Sequence, residues 1–215
     1  MLATIFGANL SSIVGVATPG GATSDEGVSV IVGDIPAPLF AIANVNGSEQ
    51  INLQVPTELI APSNVLVQIN NNGSTGTITV PLAVVQPGIF EYLPTGSPTP
   101  YAAIVKEDGS VVSPANPALR GSTVVMFLTG LGPSSPFLGT GQPGPIPPAT
   151  TVYQPVVVGL NSDGIPALFS GIAPYFVGLN QVNFEIPANA STGPSIPFSV
   201  SIDGVSSQSS TIAVE

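Results

Sequence analysis

Apolar and polar residues alternate over short stretches of this chain, and Gly, Pro, Asn and Asp interrupt them at close intervals. Residues 50–55 show the pattern most cleanly. Ile51, Leu53 and Val55 fall on one side of an extended chain, Asn52 and Gln54 on the other. The same reading predicts strands at 4–8, 28–32, 37–42, 65–69 and 76–84, then at 123–128, 156–158, 165–169, 181–186, 196–202 and 210–214. Asn70-Asn71-Asn72-Gly73 predicts a tight hairpin turn, because Asn and Gly accept positive φ. Glu107-Asp108-Gly109 predicts another, between 102–105 and 110–112. No stretch has a helical period of useful length. Strands with one apolar face must bury it against a second sheet, so the pattern predicts an all-β fold of sandwiches.

The pattern also occurs twice. Ile35-Pro36-Ala37-Pro38-Leu39-Phe40 returns as Ile165-Pro166-Ala167-Leu168-Phe169, and Gln50-Ile51-Asn52-Leu53-Gln54-Val55-Pro56 as Gln181-Val182-Asn183-Phe184-Glu185-Ile186-Pro187. Thr77-Ile78-Thr79-Val80 matches Thr211-Ile212-Ala213-Val214. The offsets are 165 − 35 = 130, 181 − 50 = 131 and 211 − 77 = 134. A nearly constant offset implies internal duplication. The expected division is a first unit at 1–90, a linker with a hairpin at 91–121, and a second unit at 122–215. Glu185 matches Gln54, which implies a surface position that accepts either residue. Phe40 matches Phe169, which implies core packing. Pro133 to Pro148 reads as an extended loop.

Composition changes this picture in one respect. Apolar residues make up 43% of the 215, so each unit has material for a core. Charged residues make up only 7%, against roughly 25% in ordinary domains. Lys106 and Arg120 are the only basic side chains, and the net charge is −10. Two cations cannot neutralise a phosphate backbone or hold an anionic membrane, which excludes nucleic acid and membrane surfaces as partners. No apolar run has the length of a membrane-spanning helix. Met1-Leu2-Ala3-Thr4-Ile5-Phe6 lacks a basic leader and reads as a first strand. There is no Cys, so no disulfide or thiolate metal site is expected.

The same composition bears on catalysis. His and Cys are absent, which removes Ser-His-Asp and Cys-His schemes. A Ser-Lys pair would need Lys106, beside a hairpin turn and read as solvated. Paired carboxylates are the remaining enzyme reading, a glycosidase-like one. The candidates Asp25, Glu26, Asp34, Glu107, Asp108 and Asp163 lie at Gly-flanked turns, where Asp is favoured for backbone reasons. Glu49 and Glu185 lie on or beside strands. Asp163 with Asn161, or Glu107 with Asp108, offers oxygen ligands to calcium, without the spaced acidic loop of a dedicated site. The expectation is therefore no enzyme, no cofactor and no metal. Sequons at Asn9, Asn46, Asn72 and Asn189 are glycosylation candidates, of a kind that arises by chance in a chain rich in Asn and Ser.

An ordered set of motifs runs through most of the chain: Gln50 to Pro56, Pro87-Gly88-Ile89-Phe90, Asp108-Gly109-Ser110, Asn116-Pro117-Ala118, Leu128-Thr129-Gly130-Leu131-Gly132, and Gly178 to Asn183. In these motifs the chain resembles the Solibacter-type C-terminal β domains of secreted bacterial proteins. The resemblance implies two tandem immunoglobulin-like β-sandwich units at an extracellular or cell-surface location, with no catalytic residues to carry over. The expected function is structural: self-association, up to filaments, through strand edges. Unguarded terminal strands supply the assembly candidates Thr4, Ile5 and Phe6, with Thr211, Ile212 and Val214. The alternative is an adhesion or binding module for polysaccharide or a larger surface protein. Tyr92, Tyr101, Tyr153 and Tyr175 are its candidate platform, though Trp, a strong stacking residue, is absent.

Overall fold

The structure is a computed structural model spanning residues 1–215, and it describes every residue except Ser12, Val14, Pro19 and Gln154. Among the described residues the chain is all-β, built of antiparallel sheets with no helix. It divides into two compact units. Unit 1 is Met1–Val84 with Leu138–Pro143, and unit 2 is Val85–Phe137 with Gly144–Glu215.

Unit 1 contains β1 (Leu2–Gly7), β2 (Gly15–Ala17), β3 (Val28–Val32), β4 (Leu39–Val45), β5 (Ser48–Gln54), β6 (Ser63–Asn71) and β7 (Ser74–Leu82). One sheet has the order β1-β5-β4-β2. The other runs from Ser24–Asp25 through β3 and β6 to β7, with Ile35–Pro36 also pairing β3. Period-two alternation buries one face of each sheet. Val28, Val30, Val32, Val65 and Val67 come from one sheet, Leu39, Ile42, Ile51 and Leu53 from the other, and they meet in one core.

Unit 2 contains β8 (Ile104–Lys106), β9 (Thr123–Thr129), β10 (Val156–Leu160), β11 (Asp163–Pro166), β12 (Phe169–Ile172), β13 (Asn180–Glu185), β14 (Gly193–Ile202) and β15 (Ser210–Val214). One sheet places β9 next to β13, β13 next to β12, and β12 next to Thr150–Thr151. The other has the order β11-β10-β14, and β14 also pairs Val205–Ser206 and β15. Phe184 of β13 and Phe198 of β14 join the two sheets, with ring centroids 5.7 Å apart. Phe40 and Phe169, read as core, are half-buried instead.

The two units share a strand order. The series β1-β5-β4-β2 answers β9-β13-β12-(150–151), and β3-β6-β7 answers β10-β14-β15. Val65 faces Val80 across β6 and β7 of unit 1, and Ile196 faces Ile212 across β14 and β15 of unit 2.

The largest departure from the sequence reading is residues 91–121, expected as a linker. They are part of unit 2. The expected hairpin forms, with Lys106 N donating to Ser110 O and Val112 N to Ile104 O. Its first strand, β8, pairs along β9, as does Gly88–Ile89. Gln86 packs on Gly130 so closely that a Cβ there would lie 1.8 Å from the Gln86 carbonyl oxygen, at φ +82, which fixes glycine at that point. Ala118 bridges Val214 in parallel and donates to Ala213 O at 2.9 Å.

Replacing Phe184 by Ala is expected to remove about 3–5 kcal/mol of stability in urea unfolding, because the ring is fully buried between the sheets. Glu185→Gln, on the exposed neighbour, is expected to change stability by less than about 0.5 kcal/mol.

Candidate functional site

The candidate site is the set of sheet edges, where backbone N–H and C=O groups lack a neighbouring strand. β1 ends one sheet of unit 1. It pairs β5 over all six residues, from Leu2 opposite Gln54 to Gly7 opposite Glu49. The three candidates on it have different environments. Thr4 is exposed, and its hydroxyl donates to Asn52 Oδ1 at 2.9 Å. Ile5 is half-buried against the unit 1 core. Phe6 is 68% exposed.

The other terminal strand is covered at its C-terminal end. In β15, Ile212 and Val214 are buried and Thr211 is half-buried, its hydroxyl donating to Pro100 O at 2.9 Å. β14 lies on one side of β15. On the other, Ala118 N donates to Ala213 O, Glu215 N to Ala118 O and Arg120 N to Glu215 O. Those bonds cover the outer backbone of β15 at Ala213 and Glu215, and the side chains of Ile212 and Val214 are buried in unit 2.

The sequence reading missed the most open edge, which is β7. It ends the other sheet of unit 1, nine residues long, with Ser74 to Thr79 all exposed. Ile78 stands opposite the buried Val67 on the inner face, yet it is 56% exposed. The signal was present as nine uncharged residues after a tight turn, with Pro81 as the sole edge breaker.

The two cations serve the fold. Lys106 Nζ donates to Asn116 Oδ1, and the Arg120 guanidinium donates to Ala190 O. Asp108 accepts from Ser110 N at 2.8 Å within the hairpin turn, and these Ser110 contacts lower its pKa. Glu49 accepts from Leu10 N at 2.6 Å and so holds the chain after β1. Among the described residues, no three acidic groups gather as a metal site. Asn161 Nδ2 donates to Ser191 Oγ at 2.9 Å. The sequon residues Asn9, Asn46, Asn72 and Asn189 are all exposed, and the first three have positive φ, the turn role that favours Asn.

Gln54 is not the surface position expected from its match with Glu185. It is buried, and its Oε1 accepts from Gly141 N at 2.7 Å, while Glu185 is exposed. Leu138–Pro143 covers Gln54 and is pinned there by Glu58. That carboxylate accepts from the Thr140 hydroxyl and from Thr140 N, contacts that hold its pKa below the ordinary value. Thr57 N donates in turn to Thr140 Oγ1 at 2.9 Å.

A depressed folded pKa means that this anchoring is complete above the ordinary glutamate pKa and is lost as pH falls through the folded value. The Thr140 amide resonance is expected to titrate with a midpoint below the ordinary glutamate range. Glu58→Ala is expected to abolish that titration and to speed proteolysis within Leu138–Pro143 at neutral pH.

No protein-family model matches this chain, and no curated protein matches it.

Proposed function

We propose that this chain is a non-enzymatic extracellular structural protein that self-associates through strand edges, its two units descending from one immunoglobulin-like sandwich. The observation that carries the reading is the pair of uncharged edges on unit 1. β1 and β7 contain no Lys, Arg, Asp or Glu in any of their residues. Monomeric proteins guard such edges with charge, bulges or covering segments. Catalysis is disfavoured because both cations are committed to structural bonds and no His or Cys is present.

One observation favours the adhesion reading, in which the chain binds polysaccharide or a surface partner. Tyr175 and Phe176 are adjacent and 75% and 57% exposed, and Tyr175 is held at φ +70. Gly144 fixes the pair, accepting from Tyr175 N and donating to Phe176 O. Exposed aromatics on a strained, pinned turn suit a stacking contact. Tyr92 and Tyr101, by contrast, spend their hydroxyls on Val112 O and Pro194 O.

Sedimentation of the native protein separates the two readings. Self-association is expected to persist in molar salt, since edge pairing without ion pairs gives screening little to act on. It is expected to strengthen as pH falls toward the pI of 4.1, where repulsion among the twelve carboxylates fades. A protein that stays monomeric throughout, yet loses binding to insoluble polysaccharide on Tyr175→Ala, would favour the adhesion reading.

A further inference from the structure

Unit 2 shows how this fold protects the strand that corresponds to β7. Its counterpart is split into Val205–Ser206 and β15. Paired residue numbers sum to 201 + 206 = 407 before the break and 198 + 210 = 408 after it, so one extra residue bulges out. The outer edge of β15 then carries the Ala118–Arg120 segment. A bulge and a covering segment are both recognised edge guards. β7 has neither: its pairing with β6 is unbroken from Asn71 opposite Ser74 to Ser63 opposite Leu82.

The register also says which backbone groups of β7 are free. Asn71 and Ser74 close the two-residue Asn72-Gly73 turn and form a hydrogen-bonded pair. Alternation then turns Ser74, Gly76, Ile78, Val80 and Leu82 toward β6. The N–H and C=O groups of Thr75, Thr77 and Thr79 face outward. Pro81, which has no N–H, sits at the next outward position and ends the open stretch. No described residue bonds to this edge.

We infer that β7 pairs antiparallel with β7 of a second copy of this chain, centred on Thr77. This rests on the self-association proposed above and names its contact. In that register Thr77 faces the second copy's Thr77, and Thr75 faces Thr79. The three outward residues of each strand form hydrogen-bonded pairs, about six N–H···O bonds in all. Thr–Thr pairs suit such a contact. Ile78 comes opposite Gly76, where a Cβ would meet nothing within 4 Å. The space beside a glycine in the middle of a strand thus receives an inner-face apolar side chain that its own unit leaves exposed. The contact is isologous, and it joins two sheets edge to edge.

Thr77 is exposed, so its replacement tests the contact without touching the core. Thr77→Lys sets two like charges against each other at the two-fold axis. It is expected to weaken association at least about 100-fold in sedimentation equilibrium, with unchanged circular dichroism. Thr77→Glu alone is expected to do the same, and an equimolar mixture of the two is expected to restore association as a Lys–Glu heterodimer. Thr77→Pro, which removes an outward N–H and no bond donated to β6, serves as a second disruptor. In the wild type the Thr75, Thr77 and Thr79 amides are expected to be protected from hydrogen exchange, and in Thr77→Lys exposed. Association of Thr77→Lys at wild-type strength would overturn the β7 contact and leave self-association standing. Loss in both charged variants without rescue on mixing would overturn the antiparallel register. A wild type that is monomeric at all concentrations would overturn both readings.

Discussion

The unmet hydrogen bonds at the end of a β-sheet are the constraint on which this structure turns. A sandwich satisfies its inner backbone groups by strand pairing and its apolar faces by packing, but each sheet still has two edges. Unit 2 closes two of its edges with its own chain. Gly88–Ile89 and β8 lie along β9, and Ala118–Arg120 lies along β15, all from residues that precede the unit's first long strand. The corresponding edges of unit 1, β1 and β7, pair with no further strand among the described residues. The two units thus share a strand order and differ in whether their edges are occupied.

Low charge sharpens that difference. Where Lys is abundant, an edge is made unattractive by pointing an ammonium along it. Here the two cations hold a hairpin and a turn, which leaves proline, bulges and covering segments as the available guards. Unit 2 uses a bulge and covering segments, while β7 carries one proline near its end. Three of the acids serve the fold as well. Glu49, Glu58 and Asp108 accept backbone N–H bonds that fix loops, so their negative charge is spent on local geometry.

The strands were legible because a half-buried strand must alternate, and Ile51, Leu53, Val182 and Phe184 sit on the buried face as the pattern required. Turns were legible because positive φ narrows the choice of residue, as at Asn72-Gly73. Alternation says nothing about what lies beside a strand. Residues 91–121 were read as a linker because short runs of Gly, Pro and Ser look alike whether they span solvent or pair with an edge. Gln54 misled for a similar reason: its polarity fits a solvated face, and only Gly141, 87 residues away, shows that its amide is met by backbone. The terminal residues Thr211, Ile212 and Val214 looked available because cover from Ala118 is equally remote in sequence.

These misreadings share a physical origin. Core positions are constrained by packing against the facing sheet, so both units place apolar residues opposite one another, as Val65 with Val80 and Ile196 with Ile212. Positions at edges and under loops are constrained by whichever segment covers them. Gln54 and Glu185 occupy matching places, but one lies beneath Leu138–Pro143 and the other is open to solvent. A strand that stays paired on one side alone is free to change its outward residues without cost to the core. Thr75, Thr77 and Thr79 are such residues, their side chains exposed and the paired side of their strand intact. New interactions can therefore be acquired at β7 while the sandwich beneath it is left unchanged.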